Sequence, residues 1–288
     1  MLNKQFGCGL ILVQFANPNG NTENGMPRQM DETGIISPFA LKSQVRRQLE
    51  SDVNGALEGL NTDNYKVFES RSRGFEDTDE LKCLKRVKDM IADNPDGFLD
   101  RYFDVRMFGT TALGKAKKKG EATRFIRRGA VQFGYCHSLN PINIYVSGLT
   151  KKAPLEEKHY KSDDNRGETG TMGPDAIKVV EFGLYQFTYY INPAEAKSNR
   201  IRPEDVEVLK KLIPNMFRFA PSVNTAGVEV IQLFHFDHGN TMGSFSEIVA
   251  KTDCTPLMKE NPKLLKDVVL VGIDDLKVKY GDKVSQLV

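Results

Sequence analysis

The segment His235-Phe236-Asp237-His238 holds the chain's densest set of metal-ligating and acid–base groups. Two imidazoles and a carboxylate within four positions could hold a divalent cation or pass a proton, provided they converge. On a strand His235 and Asp237 share one face and His238 takes the other, so convergence needs a turn at the strand end. The segment therefore reads as strand-end residues capping the loop that begins at Gly239. Cys136-His137 sets a thiol beside an imidazole, but adjacent strand residues diverge, and the pair reads as structural. Asp31 lies in a long polar loop where it could serve as a general base, although a loop Asp more often shapes a turn. No complete HExxH, GxSxG, Walker or GxGxxG pattern accompanies these residues.

Cations at regular spacing suggest a second chemistry, the gripping of phosphates. Lys42 and Arg46 stand four apart beside an apolar stripe, with Arg47 next to them. Between Ala112 and Arg128 stand Lys115, Lys117, Lys118, Lys119, Arg124, Arg127 and Arg128 against the single acid Glu121. A third group, Lys151, Lys152, Lys158, Lys161 and Arg166, lies in a glycine-rich polar stretch that ends near Met172. Cations on scaffolded surfaces with apolar groups beside them are what a nucleic-acid binder needs. The bland reading of each is a solvated face or loop.

The elements that would carry these residues follow from periodicity. Phe6–Ala16 is nearly continuously apolar, as a strand covered on both faces must be, and the stretch from Asn17 to Ile36 reads as a long loop. Ser37-Pro38 caps a helix whose Leu41, Val45, Leu49, Val53 and Leu57 recur every four residues. Lys66–Ser70 reads as a short strand, Thr78–Ala92 as a second helix and Asp104–Gly109 as extended chain. Strands are expected over Gly129–Tyr135, Ile142–Ser147, Val179–Ile191, Val228–Asp237 and Lys266–Ile273, and a helix opens at Arg202-Pro203 and breaks at Pro214. Without its excursions the order is strand, helix, paired strands, helix, strand, the split βαβ of ferredoxin-like and RNA-recognition folds. The fold class is thus α+β, a single domain over 1–288 with insertions at about 17–36, 110–128 and 150–175.

Composition sets the outer bounds. The chain has 288 residues, 40% hydrophobic and 27% charged, enough apolar surface for a substantial core. Lys and Arg number 40 against 38 Asp and Glu, a net charge of +2, so no global field marks a polyanion partner. Four cysteines without a CxxC pair argue against a disulfide framework or zinc ribbon and for reduced thiols in the cytoplasm. Lys4 and the run after it imitate a short signal peptide, but the run reads as a first strand, and no apolar run reaches the roughly 20 residues that span a bilayer.

Several short motifs occur in one order along the chain: Ala16-Asn17-Pro18-Asn19-Gly20, Gly25-Met26-Pro27-Arg28, Thr33-Gly34, and Leu41-Lys42 leading to Val45-Arg46. Asp104-Val105-Arg106-Met107-Phe108-Gly109, Arg128-Gly129-Ala130-Val131-Gln132-Phe133, His137-Ser138-Leu139-Asn140-Pro141, Gly183-Leu184-Tyr185 and Ile191-Asn192-Pro193 follow. Together they resemble the CRISPR-associated Cascade backbone subunit in its type I-C (Dvulg) form, up to about residue 250. The resemblance implies a modified RNA-recognition-motif palm with finger insertions and a thumb β-hairpin. Copies would polymerise along a CRISPR RNA, leaving bases free to pair with a target DNA strand beside handle-capping, large and small Cascade subunits. It implies no catalysis, cofactor or metal. Lys42 and Arg46, with Arg47 as neighbour, would contact phosphates, as would Arg28 and Arg106. The basic run with Lys117, Lys118, Lys119 and Arg127 would be a further contact. The excursion with Lys151 and Lys152 would be the thumb, with Met172 wedged beside a displaced base. The competing reading is a metal-dependent RNA nuclease on the same fold, using Asp31 or the His235, Asp237 and His238 cluster.

Overall fold

The computed structural model describes the chain except for residues 20–24, 53–54, 70–93, 114–123, 148–176, 219–221 and 223. Its first half runs β1 (Gln5–Ala16), β2 (Gln29–Met30), β3 (Thr33–Ile36), α1 (Pro38–Ser51), α2 (Pro95–Arg101), α3 (Phe103–Phe108), β4 (Gly109–Leu113) and β5 (Arg124–Arg128). Strands β6 (Val131–Phe133), β7 (Cys136–Pro141), β8 (Ile144–Ser147) and β9 (Ile177–Ile191) follow, then α4 (Pro193–Ser198), α5 (Pro203–Leu212) and β10 (Val228–Asp237). The last part holds α6 (Glu247–Asp253), β11 (Leu257–Met258), β12 (Val268–Val269), α7 (Ile273–Tyr280) and β13 (Val284–Gln286).

Nine strands build one antiparallel sheet in the order β13-β10-β1-β9-β7-β3-β2, with β6 and β8 also paired to β9. Strand β1 is central and alternates strictly over its first turns. Ile11 and Val13 pack with Leu41, Val45 and Leu49 of α1 and Val206, Leu209 and Leu212 of α5. Phe6 and Cys8 pack on the opposite face with Ala250 and Cys254 from the α6 region and Leu276 and Tyr280 of α7. An apolar strand covered on both sides is what the unbroken run in the sequence requires. The protein is thus a mixed α/β molecule around a large antiparallel sheet. Among the described residues no helix is long and apolar enough to cross a membrane.

Helix α1 is placed by its start. Ser37 Oγ accepts from Ala40 N at 3.2 Å, and Pro38 occupies the first turn. Asn19 ties this start to the neighbouring loop: its Nδ2 donates to Ile35 O at 2.7 Å and its Oδ1 accepts from Ser37 N at 3.0 Å. The helix ends at Asp52 in left-handed geometry, so Leu57 joins the core from the turns beyond it and not from a longer helix.

Five expectations from the sequence change. The stretch 17–36 is not loop throughout, since β2 and β3 form a hairpin that extends the sheet beside β7. Asp104–Phe108 lies in helix α3 and not in extended chain, and Gly109 opens β4. Every residue of α3 is buried, and a short all-buried segment has no periodicity to separate helix from strand. Lys66–Ser70 makes only an isolated bridge, Lys66 to Tyr102. The final segment forms β12 and then α7, and the closing strand is β13. The expected helix at 78–92 lies outside the described residues, as does the whole 150–175 excursion. Its flanks do pair, Ser147 opposite Ile177, so the chain leaves and returns at adjacent points. The 110–128 segment is not simple loop either, because its ends pair as the hairpin β4–β5. At its base Gly109 has φ 78°, and a Cβ there would collide with Arg127 O and Gly129 N.

Candidate nucleic-acid interface

The cations of α1 meet two other elements. Arg46 Nε donates to Asp104 Oδ2 at 2.9 Å, and its Nη2 lies 2.7 Å from Glu69 Oε2, leaving the side chain 13% exposed. Asp104 is itself buried and accepts from Phe68 N at 2.7 Å and Glu69 N at 3.0 Å, so one carboxylate pins both the helix and the segment holding Glu69. Lys42 Nζ sits 3.5 Å from Gln132 Oε1. Both cations lie over the Phe108 ring, Lys42 at 5.6 Å and Arg46 at 5.4 Å from its centroid. Burial, and then the neighbouring Arg46, push the Lys42 ammonium below its usual pKa, with Glu69 acting the other way. Arg47 is part-buried one position along.

Gln132 connects this flank to a groove. Its Nε2 donates to Gly129 O at 2.8 Å, and its side chain lines a concavity of about 680 Å³. Tyr190, Ile191 and Pro193 give the groove apolar walls, while Lys4 and Lys197 supply cations. Asn192 caps α4 through a bond from Ala194 N at 2.9 Å, which fixes the wall at Pro193 and puts exposed Lys197 one turn on. Lys4 Nζ is 3.2 Å from Glu247 Oε1. Arg128, at the end of β5, is 80% exposed and reaches Glu195 only at 4.0 Å. Cations one helical turn apart, an aromatic ring beneath them and an apolar groove alongside can hold a phosphodiester chain and cover its sugars or bases.

The other predicted contacts fall elsewhere. Arg106 is no surface cation: its side chain is 0% exposed and spends all five donors inside the protein. Nε and Nη2 bond Asp205 at 3.2 and 2.8 Å, and the remaining bonds go to the carbonyls of Leu99, Asp100 and Asn64. A core position next to α2 and α5 replaces the expected phosphate contact. Arg28 is exposed ahead of β2, where its carbonyl accepts from Ile35 N at 2.8 Å. Arg127 is part-buried on β5. Lys117, Lys118, Lys119, Lys151, Lys152 and Met172 lie outside the described residues.

The imidazole cluster does not converge. His235 is buried, with Nδ1 2.8 Å from the Tyr189 hydroxyl, and burial, then Lys210, lower its pKa to about 3, with Asp237 opposing. His238 is buried apart from it. Ser244 N donates to His238 Nδ1 at 2.9 Å, so the ring proton sits on Nε2, facing Glu247 Oε1 at 3.1 Å. Asp237 instead accepts from Asn3 and Gly239. Among the described residues no group of three or more His, Cys, Asp or Glu side chains could hold a metal ion. Asp31 is an exposed turn residue between β2 and β3 with φ 54°. Cys136 is buried, and burial pushes its thiol pKa well up, which removes it as a ready nucleophile.

Phe108, Gln132, Tyr190, Lys197 and Glu69 were not singled out from the sequence. Gln132 and Asn192 sit inside quoted motifs, so their positions were marked but not their roles. Glu69 reaches Arg46 only through the tertiary fold and carries no local signal.

A family model described as CRISPR-associated protein Cas7 matches residues 3–271. A CRISPR-associated protein Cas7 from Haloferax volcanii is 28% identical over 222 residues, covering 69% of this chain and 60% of that relative. The match thus spans about 60% of the relative's length. Two solved structures are similar in outline. A chain of a "CRISPR RNA-guided surveillance complex, pre-nicking" is 14% identical with TM-score 0.46, covering 81% of this chain and 75% of that one. A chain of a "CRISPR RNA-guided surveillance complex" is 12% identical with TM-score 0.47, covering 98% and 87%.

Proposed function

This chain belongs to the CRISPR-associated protein Cas7 family, and we propose that it is a non-catalytic, CRISPR RNA-binding backbone subunit of a type I-C surveillance complex, Cascade. Copies polymerise along the guide, hold its phosphate backbone and present bases to a target DNA strand, alongside the handle-capping, large and small subunits. The central order β10-β1-β9-β7, with α1 and α5 on one face, supports reading the sheet as a modified RNA-recognition palm in a single cytoplasmic domain. The hairpin β4–β5 is then a finger, with Arg127 on its returning strand, and the sequence between its two strands supplies Lys117, Lys118 and Lys119 as further contacts. The chain between Ser147 and Ile177 is the thumb, with Lys151 and Lys152 on the guide and Met172 beside a displaced base. Arg28 and Arg47 are flanking phosphate contacts.

The observation that carries this reading is the α1 flank: Lys42 and Arg46, one turn apart over Phe108, opening onto the groove behind Gln132. Partly desolvated cations act on a phosphate more strongly than solvated ones. Grip on the backbone alone tolerates any sequence, which a guide-holding subunit needs, since base pairing does the reading. Growth along the RNA requires a heterologous contact that does not close.

Co-expression with a CRISPR array tests the reading. The wild-type chain co-purifies with discrete RNA, and Lys42→Gln combined with Arg128→Gln and Lys197→Gln loses most of it. Arg46 is left intact in this variant because its partner Asp104 is buried. Wild-type RNA occupancy in the triple variant would show that this face does not hold the guide.

A further inference from the structure

Strand β1 breaks its own alternation near its end. Ile11 and Val13 face α1 and α5, and Phe15 is next in that series. Instead Phe15 has φ 46°, a conformation bulky residues rarely adopt, and Ala16 takes the core position. The Phe15 ring is turned outward and is 63% exposed. There it meets Tyr145 of β8, itself 47% exposed, with centroids 6.3 Å apart and planes at 78°. A backbone in the left-handed region would be relaxed with Gly or Asn, so the turn alone does not call for an aromatic residue.

The charge beside these rings says what could cover them. Gln14 pairs with Phe182 and Ala16 with Val180, so Phe15 lies level with Glu181 of β9, while Tyr145 pairs with Val179. A part-buried carboxylate level with Phe15 repels a phosphate, whereas it can accept from the amino group of a base. A nucleobase also carries an uncharged π-face that matches an exposed aromatic ring. We propose that Phe15 and Tyr145 form a stacking platform for an unpaired nucleobase of a bound single strand, an inference that rests on the RNA-binding reading above.

The chain contains no tryptophan, so Phe15→Trp places a single reporter on the platform. In the full chain, a single-stranded RNA of about 12 nucleotides is compared with an abasic strand of equal length. Polarisation of labelled strands reads binding, and tryptophan emission with unlabelled strands reads stacking. The expected result is that both strands bind and only the base-bearing one quenches emission, with Tyr145→Ala in the same background reducing the quench. Phe15→Ala should weaken the base-bearing strand about fivefold or more and leave the abasic strand within twofold. If both strands bind and emission responds equally to both, the platform is wrong while RNA binding stands. If neither strand binds, the RNA reading fails and the platform with it.

Discussion

At the scale of single residues, charge alone does not identify a ligand contact, and Arg106 shows why. It belongs to one of the motifs that carry the family resemblance, yet it is an internal strut between α2, α3 and α5. Replacing it by Leu would leave buried Asp205 with only the partly exposed Arg202 as a cation partner, a change worth roughly 3 kcal/mol, to be read from the midpoint of denaturant unfolding. Burial alone would raise the Asp205 pKa, but the Arg106 and Arg202 bonds outweigh it and hold the carboxylate below its usual range. The stability this gives is present above the ordinary carboxylate pKa and is lost as pH falls through the depressed one. His235 titrates in the same direction. It stays neutral in the fold down to about pH 3 while the unfolded chain takes up a proton near 6.5. Stability therefore falls between those values, and His235→Gln should flatten the unfolding midpoint over that window. Glu69 is an opposing case, an acid half in solvent placed 2.7 Å from Arg46. If the guide runs along α1 as proposed, Glu69 competes with a phosphate for Arg46, so Glu69→Gln should tighten RNA binding a few-fold in a polarisation titration, with little effect on stability because Arg46 keeps its bond to Asp104 and a half-exposed ion pair contributes only about 0–1 kcal/mol.

At the scale of elements, the motifs that carry the family resemblance turn out to be largely fasteners. Asn19 joins the loop after β1 to the start of α1. Asn140 Oδ1 accepts from Leu184 N at 2.9 Å, and Asn192 caps α4. Outside those motifs, Asn199 Nδ2 donates to the carbonyls of Arg106 and Arg128 and locks α3 to the β5 end in the same way. On the proposed RNA-binding reading their effect is indirect, through where they set Lys42, Gln132 and Lys197. Asn19→Ala should cost on the order of 1–2 kcal/mol as it frees two bonds at the α1 start, and should weaken RNA binding without altering its salt dependence. Elements with strong periodicity were legible in the sequence. The apolar run of β1 and the strand Val228–Asp237 stand where the residues placed them, and α1 starts where its cap and four-residue spacing put it but ends at Ser51, short of Val53 and Leu57. Helix α3 was not legible because it is buried on every side, and β2 and β3 because strands of two and four residues are held by pairing, β3 with β7 and β2 with β3, and not by composition. The α1 cations were found by spacing. Their coupling to Phe108 and Gln132 was invisible because it depends on the register of distant strands.

At the scale of the whole molecule, the net charge of +2 hides an uneven distribution. One flank gathers Lys42, Arg46 and Arg47, and the β4–β5 hairpin adds Arg128, while acids such as Asp104 and Asp205 are turned inward to hold cations in the fold. Near-neutrality suits a subunit that packs beside copies of itself, since neighbours then repel weakly. Grip on a phosphate backbone releases counterions, so the slope of log affinity against log salt for a single-stranded RNA reads directly whether this face holds the backbone. Wild type should show a steep negative slope, and Lys42→Gln with Lys197→Gln should lessen it by about 0.7 for each cation removed. A double variant with the wild-type slope and affinity would contradict the placement of the RNA backbone along α1 and the groove.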